Sequence, residues 1–146
     1  MAYKSKFSPK NTKKYIGDPT KIELKSLWER RFAKYCDEND SILEWGYEIL
    51  VIPYIDAASG KKRRYYPDFI IRYINKNNKI RTKIIEIKPH KQTKPPKKPL
   101  RKTPSFIKEV LTYATNKSKW EACSEYAEFK GWEFQILTEK ELTLET

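Results

Sequence analysis

The stretch YYPDFIIRYINKNNKIRTKIIEIKPHK, residues 65–91, contains two apolar runs that are separated by the turn-forming residues 75–78. This arrangement predicts two neighbouring antiparallel β-strands. Each run is interrupted by an acid, Asp68 in the first and Glu86 in the second. Burying a lone carboxylate costs several kcal/mol unless a partner compensates it. The two acids therefore lie on a solvated face or meet a positive charge.

The positions of the two acids favour a shared site. Side chains two residues apart on a strand point to the same face, so Glu86 and Lys88 lie together. Asp68 comes 86 − 68 = 18 residues earlier, near the start of its strand, and antiparallel pairing brings it beside Glu86 at one sheet edge. Alone, Pro-Asp is ordinary turn chemistry and Glu-x-Lys is an exposed ion pair worth under about 1 kcal/mol. The apolar neighbours of both acids indicate internal strands and favour a functional site.

Two carboxylates beside a lysine predict a site for Mg²⁺ or Mn²⁺. Mg²⁺ prefers oxygen ligands and is commonly held by one or two carboxylates, waters and substrate phosphate. Such an ion polarises a phosphate and lowers the pKa of water, while a nearby lysine stabilises the attacking hydroxide or the developing charge. The best-placed third acid is Glu29, at the edge of the apolar stripe of the first predicted helix.

Apolar periodicity along the rest of the chain predicts an α/β fold. We expect helices over residues 21–37, 105–129 and 138–142. We expect strands over residues 44–54, 64–74, 80–88 and 132–137. Since a strand reached through a helix can pair parallel to an earlier one, the order α-βββ-α-β predicts a central mixed sheet flanked by helices.

The two longer helices have recognisable ends and apolar positions. The first is predicted to begin at Asp18 or Thr20, with Glu23 completing a capping box. Its apolar stripe consists of Leu24, Leu27, Trp28, Phe32, Tyr35 and Cys36. The second is predicted to end near Gly131. Its candidate core residues are Ile107, Val110, Leu111, Ala114, Trp120, Cys123 and Ala127.

Length and charge limit the class of protein. At 146 residues the chain is expected to form one domain, and its 31 lysines and arginines exceed its 19 acids to give a formal net charge of +12. That imbalance predicts a polyanionic partner, with nucleic acid as the first expectation. Without an apolar run of roughly 18 to 20 residues or an apolar signal core, we expect an intracellular protein with no membrane partner. Cys36 and Cys123 lack any CxxC pairing and are expected to be plain buried or half-buried thiols.

The chain contains three basic segments, and two of them, residues 61–64 and 91–102, lead into the predicted site. Residues 1–17 carry five lysines and no acid, and are expected to form a flexible arm ahead of a single domain, residues 18–146. Residues 89–104 carry five prolines, six lysines or arginines and no acid, which predicts an extended basic loop. Since cations that neutralise phosphates supply most non-specific affinity for DNA, the basic residues near the acids are candidate DNA contacts. These candidates are Lys61, Lys62, Arg63, Arg64, His90, Lys91, Lys94, Lys97, Lys98, Arg101, Lys102, Lys117 and Lys119.

The sequence contains little sign of residues that would read DNA bases. No cluster of Asn, Gln or Arg resembles a helix that reads base edges, so we expect weak sequence preference or a preference for DNA structure. His90 is the only histidine and follows the second acidic run directly. The role of His90 stays open between a general base, a phosphate contact and a loop residue.

At these residues the chain resembles the PD-(D/E)XK nuclease superfamily. The motif reads PD at residues 67–68 and EIK at residues 86–88, preceded by a helical glutamate in SLWE at residues 26–29. The resemblance extends over about residues 20–142 and implies a restriction-endonuclease-like αβββαβ core. In finer detail the chain is similar to the head completion nucleases of T-even-like tailed phages. Over SLWER, YYPDF, EIKP and GWEFQILTEKEL it is also similar to the transposon-end (TnsA-like) endonuclease.

The resemblance implies a metal-dependent DNA endonuclease. It implies that Glu29, Asp68 and Glu86 are metal ligands. The backbone carbonyl of Ile87 is usually a ligand too, and Lys88 corresponds to the catalytic lysine.

On the helix after the motif lysine, this chain differs from several relatives in one residue pair. They carry a Gln-xxx-Tyr pair, whereas this chain has Glu109 and Tyr113 at that spacing. A role for Glu109 therefore stays open between support of the metal site and a solvated position.

The phage resemblance implies trimming or finishing of DNA at the packaged head. Partners are then head, portal or neck proteins, and the location is the host cytoplasm or the virion. Small nucleases often dimerise to cut both strands, so a homodimer is a further expectation. Two alternatives stay open: a transposase-like or junction-resolving endonuclease, and a non-catalytic DNA-binding or head-assembly protein that shares the fold.

Overall fold

A computed structural model describes residues 4–143 of the chain. The elements, in chain order, are β1 Ser5–Lys6, β2 Glu23–Leu24, α1 Leu27–Glu38, β3 Ile42–Tyr47, β4 Ile52–Ile55, β5 Lys62–Tyr65, β6 Phe69–Ile74, β7 Ile80–Ile87, α2 Pro104–Lys130, β8 Glu133–Leu137 and α3 Glu139–Thr143. Short 3-10 turns lie at Thr12–Lys14 and His90–Thr93.

The central sheet has four strands in the order β3-β6-β7-β8. β6 pairs antiparallel with both β3 and β7, and β8 pairs parallel with β7. The hairpin of β6 and β7 keeps one register, from Phe69 opposite Ile85 to Ile74 opposite Ile80. The predicted mixed sheet flanked by helices is confirmed, with its parallel strand reached through α2.

Each face of this sheet is covered by its own apolar core, and alternation along β7 separates the two. Ile85 belongs to the core that includes α1, α3 and the N-terminal segment, whereas Ile84 belongs to the core that includes α2 and the β4–β5 hairpin. Both side chains are at most 2% exposed, and burial of each contributes about 1.5 to 3 kcal/mol. The edge where β6 begins and β7 ends therefore lies between two packed layers.

Two of the predicted strands are each divided in two. Residues 44–54 contain the separate strands β3 and β4, and residues 64–74 contain β5 and β6. The first break is at Glu48, whose φ of 52° is left-handed and ends the extended backbone. The second is at Pro67, which has no N–H to donate to a strand ladder.

Beyond these breaks, β4 and β5 form a separate hairpin that packs on α2. β4 pairs with β5 and not with the central sheet. In the turn between them, the Ala57 N–H donates to Ser118 Oγ (3.0 Å), and Thr115 Oγ1 donates to Asp56 (2.8 Å). These bonds attach the hairpin to the middle of α2.

The predicted flexible arm is wrong for residues 4–17, while residues 1–3 lie outside the described part of the chain. β1 pairs with β2, and Phe7 is 7% exposed within the core. The buried carboxylate of Asp37 accepts the N–H groups of Lys10 (2.8 Å) and Asn11 (3.0 Å). Composition suggested mobility because five lysines dominate the segment, but its apolar residues and backbone amides attach it to the domain.

α1 begins six residues later than predicted because Ser26, and not Thr20, is its N-cap. The Glu29 N–H donates to Ser26 Oγ (3.1 Å), so the Ser-x-x-Glu pattern at residues 26–29 starts the helix. Residues 22–24 alternate between buried, exposed and buried side chains, which suits a strand. Leu27, predicted for the apolar stripe, is 62% exposed.

α2 is one residue longer at each end than predicted and stops at Gly131, whose φ of 74° is left-handed. Its buried residues include Trp120, Cys123 and Ala127, as predicted. Assignment of the earlier residues to the core is wrong, because 40 to 50% of the side chain is exposed at Ile107, Val110 and Leu111. At 100° per residue, Ile107 lies about 160° around the helix axis from Cys123, so the two groups occupy opposite faces.

The cysteines behave as expected. Cys36 and Cys123 are buried and form no disulfide in the described part of the chain, and burial raises the pKa of the Cys123 thiol to about 12. Within residues 4–143, no helix combines the length and the apolar character that crossing a membrane requires.

Candidate active site

Asp68 and Glu86 interlock where the β6–β7 ladder ends. The Asp68 N–H donates to Glu86 Oε1 (3.2 Å), and the Ile87 N–H donates to Asp68 Oδ2 (2.8 Å). Because Pro67 cannot continue the ladder, each carboxylate accepts a backbone N–H of the other strand. The structure thus brings the two acids together at one sheet edge, as strand alternation predicts.

Burial raises the pKa values of both acids, and repulsion by neighbouring carboxylates adds to the rise at Asp68. Glu86 is 4% exposed and Asp68 is half-buried. Loss of solvation raises the pKa of Asp68 well above its usual range, and the charges of Glu86 and then Glu29 raise it further. Loss of solvation also raises the pKa of Glu86, while Lys88 opposes that rise. A proton or a cation between these carboxylates therefore stabilises the cluster.

Lys88 supplies positive charge at the same edge. Its N–H donates to the Leu137 carbonyl of β8 (3.0 Å), which holds the backbone directly after β7. Its ammonium lowers the pKa values of both Asp68 and Glu86. The lysine is therefore within electrostatic range of both acids.

Glu29 lies in the first turn of α1, beside this cluster. It is 8% exposed, and its Oε1 accepts the Tyr47 hydroxyl (2.9 Å) and the Lys25 N–H (2.8 Å). Its charge raises the pKa of Asp68, so the two carboxylates interact. Glu29 Oε2 accepts no hydrogen bond from residues 4–143, which leaves one of its oxygens for a further partner.

Three residues beside the acids are not singled out by any sequence pattern: Lys25, Tyr47 and Glu48. Lys25 Nζ donates to both carboxylate oxygens of Glu48 (2.5 and 2.8 Å), and this bond is the main reason that the pKa of Lys25 is raised. The Glu48 N–H donates to the Asp68 carbonyl (2.9 Å). Burial and then the charge of Glu29 raise the pKa of Tyr47. The left-handed φ of Glu48, which directs its side chain out of the strand, cannot be read from residue type.

The donor set fits a hard divalent cation. Asp68 and Glu86 provide two adjacent carboxylates, which suffice for a Mg²⁺ ion that keeps several waters. In the described part of the chain, no three His, Cys, Asp or Glu side chains come together closely enough to hold a metal ion. Glu29 thus stands next to the pair and does not form a three-acid cage with it.

A cleft of about 220 Å³ opens beside the acids. Its lining residues are Ser26, Trp28, Glu29, Ile87, Lys88, Pro89, Gln92 and Glu139. Asp68 and Glu86 do not line it themselves. Glu29, Ile87 and Lys88 therefore border the cleft, whereas the interlocked pair lies outside its lining.

Comparison with known proteins places this site in a family. Residues 39–139 match the family model described as TnsA-like endonuclease N terminal. The chain belongs to the TnsA-like endonuclease family. It is also 45% identical over 143 residues to the head completion nuclease of Enterobacteria phage T4, which covers 95% of this chain and 93% of the relative. No solved structure is significantly similar to the chain.

These findings confirm the resemblance to both groups of nucleases. The segment of this endonuclease that matches the family model contains Asp68, Glu86 and Lys88 but begins after Glu29. The match to the phage protein covers nearly the whole of both chains. The chain is therefore an endonuclease, while the chemical roles of individual site residues stay predictions.

The candidate DNA contacts of this endonuclease differ in their surroundings. Exposed candidates are Lys61, Lys62, Arg63, Arg64, Lys91, Lys94, Lys97, Lys98, Arg101, Lys102 and Lys117. Two of these have acidic neighbours, because Arg63 Nε lies 3.3 Å from Asp56 Oδ2 and Lys117 Nζ lies 4.0 Å from Glu121 Oε1. Lys119 Nζ lies 5.7 Å from the centroid of the Tyr65 ring. Contact of these residues with phosphates stays a prediction.

His90 and Glu109 receive different environments. The His90 N–H donates to the Glu139 carboxylate (2.9 Å), and its Nε2 lies 3.5 Å from Lys140 Nζ. His90 thus ties the start of the basic loop to α3. Glu109 is exposed in the first half of α2, and Tyr113 packs edge-on against Trp120 with ring centroids 6.4 Å apart.

Proposed function

We propose that this chain is a Mg²⁺-dependent endodeoxyribonuclease that hydrolyses phosphodiester bonds in DNA, with Mn²⁺ as an alternative ion. The observation that supports it most is the interlocked pair of Asp68 and Glu86 beside Lys88. Holding a buried and a half-buried carboxylate with raised pKa values next to each other is unfavourable without a compensating cation, and such clusters are typical of functional sites. The net charge of +12 suits a polyanionic substrate.

In this proposal the chain's residues divide the chemistry between them. Asp68, Glu86 and the Ile87 carbonyl would hold the ion, and Glu29, which stands beside the pair, would join them from α1. The bound ion supplies polarisation of the phosphate and a lowered pKa of the attacking water. Lys88 stabilises negative charge that develops on the attacking or leaving oxygen.

The basic segments position the substrate in this proposal. Residues 61–64 lead towards Asp68, and residues 89–104 directly follow Lys88, so the cations of both segments contact phosphates on either side of the cut. Such contacts carry little sequence information. The enzyme therefore selects DNA by structure more than by sequence.

The task that we propose follows the phage relative. That protein is named a head completion nuclease and is 45% identical to this chain over 143 residues, which are 93% of the phage protein. We infer the same task here: processing of DNA ends when the packaged head is completed, in the host cytoplasm or in the virion. Head, portal or neck proteins are the proposed partners, and a homodimer would supply one site for each strand.

Nicking of supercoiled plasmid tests the enzyme proposal. We expect nicking with Mg²⁺ or Mn²⁺ and none with EDTA. Glu86→Gln and Lys88→Ala should each lower the rate by at least about 10²-fold, since each removes a charge that acts at the reacting phosphate. Glu44→Gln is the matched control, because Glu44 lies in the same sheet but pairs with Arg72, and its rate should stay within about twofold of wild type.

Other results would point to the alternatives. Tight DNA binding without cleavage under any divalent metal would contradict the enzyme proposal and favour a binding protein. Cleavage of four-way junctions in strong preference to linear duplex would favour a junction-resolving enzyme. Equal cleavage of single-stranded RNA and DNA would contradict the assignment of DNA as the substrate.

A further inference from the structure

Tyr65 is the residue at which the β4–β5 hairpin meets the acids, although no motif includes it. It is the last residue of β5, three positions before Asp68, and is 4% exposed. Its ring packs edge-on against Tyr54, with centroids 6.4 Å apart, and Lys119 Nζ lies 5.7 Å from its centroid. Tyr65 is therefore held from several sides and has little freedom to move.

The hydroxyl of Tyr65 is buried and, among residues 4–143, makes no hydrogen bond of ordinary geometry. A buried hydroxyl without a partner costs free energy, and such groups are rare in folded proteins. The group beside it is the Glu86 carboxylate, which is near enough to affect the pKa of Tyr65 both through its charge and as a hydrogen-bond acceptor. The hydroxyl is thus placed against Glu86 without reaching full hydrogen-bond geometry.

Glu86 has capacity for this partner. Its Oε1 accepts the Asp68 N–H (3.2 Å), the one hydrogen bond of ordinary geometry that Glu86 accepts from the described residues. A phenol, whose ordinary pKa is about 10, carries its proton at neutral pH, so the Tyr65 hydroxyl can donate. A small movement of the Glu86 carboxylate would therefore complete a hydrogen bond with Tyr65.

We propose that Tyr65 is a positioning residue for the metal site: its hydroxyl donates to Glu86 and sets the orientation in which that carboxylate binds the ion. This inference rests on the proposed function, since it assigns Glu86 as a ligand. Partners that hydrogen-bond to ligating side chains fix their orientation, and removing one typically lowers metal affinity or activity by 10- to 100-fold. Lys119 supports the arrangement by lying near the face of the Tyr65 ring.

The test compares Tyr65→Phe with Tyr54→Phe in the full-length chain. Both changes remove one hydroxyl from a buried tyrosine of the same hairpin, but the pKa of Tyr54 responds to Asp56 and Arg63 and not to the site acids. Binding of Mn²⁺ is measured from the electron paramagnetic resonance signal of the free ion, and thermal unfolding is measured in EDTA. Plasmid nicking is followed over a range of Mn²⁺ concentrations.

We expect Tyr65→Phe to bind Mn²⁺ 10- to 100-fold more weakly and to need correspondingly more Mn²⁺ for half-maximal nicking. Its Tm in EDTA should equal or exceed that of wild type, because the hydroxyl completes its bond only when Glu86 turns to bind the ion, and the change keeps the ring. Tyr54→Phe should bind Mn²⁺ like wild type. The combination of weaker binding and undiminished stability separates a positioning role from a purely structural one.

Wild-type affinity in Tyr65→Phe would overturn this inference, as would equal weakening in both variants. The outcome is distinguishable from failure of the proposed function. A wild-type chain that binds Mn²⁺ but does not cut DNA would overturn the proposed function, whereas the ratio of the two Mn²⁺ affinities still decides the role of Tyr65.

Discussion

Replacing Asp68 by asparagine should stabilise the metal-free protein while it abolishes cleavage. Asp68 is held against Glu86, and loss of solvation and the charges of Glu86 and Glu29 all raise its pKa. Asparagine has nearly the same shape, and its carbonyl oxygen can still accept the Ile87 N–H that Asp68 accepts at 2.8 Å. The substitution thus removes a repulsive charge and keeps the bond that joins the two strands.

The magnitude follows from the charges in the cluster. Two like charges about 4 Å apart repel by about 4 kcal/mol at an effective dielectric constant of about 20. Proton uptake by the pair relieves part of this repulsion in the wild type, as the raised pKa values indicate. We therefore expect Asp68→Asn to raise the free energy of unfolding by about 2 kcal/mol without metal, which corresponds to a rise in Tm of about 4 to 8 °C for a chain of this size.

The gain in stability should depend on pH in a defined direction. The pKa of Asp68 is higher in the folded than in the unfolded state. Protonated Asp68 therefore contributes fully to the stability of the wild type below the unfolded-state pKa of about 4. That contribution is lost as the pH rises through the folded-state pKa. The advantage of Asp68→Asn should consequently be small at acid pH and grow towards pH 8.

Urea or thermal unfolding in EDTA from pH 4 to pH 8 measures the effect. Glu44→Gln serves as the control, because its loss removes an ion pair with Arg72 on the strand surface and should not raise stability. Added Mg²⁺ should stabilise the wild type and not Asp68→Asn, since only the former keeps both carboxylates. An Asp68→Asn variant that is less stable than wild type in EDTA at pH 8 would refute the argument from repulsion.

Three further predictions concern other parts of the chain. Asp37→Ala should lower the free energy of unfolding in urea by about 2 to 4 kcal/mol, because it leaves two backbone N–H groups of the N-terminal segment unpaired; a loss below about 0.5 kcal/mol would contradict this attachment. Gly131→Ala should cost about 1 kcal/mol in the same assay, since its φ of 74° is strained for a residue with a Cβ, and an unchanged stability would contradict that reasoning. Changing Lys97 and Lys98 together to alanine should lower the salt dependence of DNA binding, log K against log[salt], by about 1.8 while leaving the nicking rate at saturating DNA unchanged; an unchanged slope would exclude them as phosphate contacts.

The central hairpin and the pair of acids could be predicted because their signals are local. Residues 69–74 and 80–87 alternate around a short turn, so antiparallel pairing and its register follow from neighbours in sequence. The register then determines that Asp68 and Glu86 meet. The parallel strand β8 was predictable for a related reason, since a strand reached through a helix can pair parallel to an earlier strand.

The first residue of α1 could not be predicted from local sequence, because two similar N-cap patterns compete. Both Thr20 and Ser26 begin a pattern with glutamate three residues later, and the structure uses Ser26. The reason is tertiary: Leu24 is fully buried in β2, which pairs with β1 from the N-terminal segment. A helix over those residues would forfeit both the burial and the strand pairing.

Local patterns in the chain are enough to predict the hairpin, the order of the elements and the convergence of two acids with a lysine. Three features depend on the folded chain: residues 4–17 join the domain, β4 and β5 leave the central sheet, and Tyr65 lies against Glu86. The difference lies in the range of the interactions. Alternation and capping act between residues a few positions apart, whereas these three features depend on packing and hydrogen bonds between segments that are brought together only when the whole chain folds.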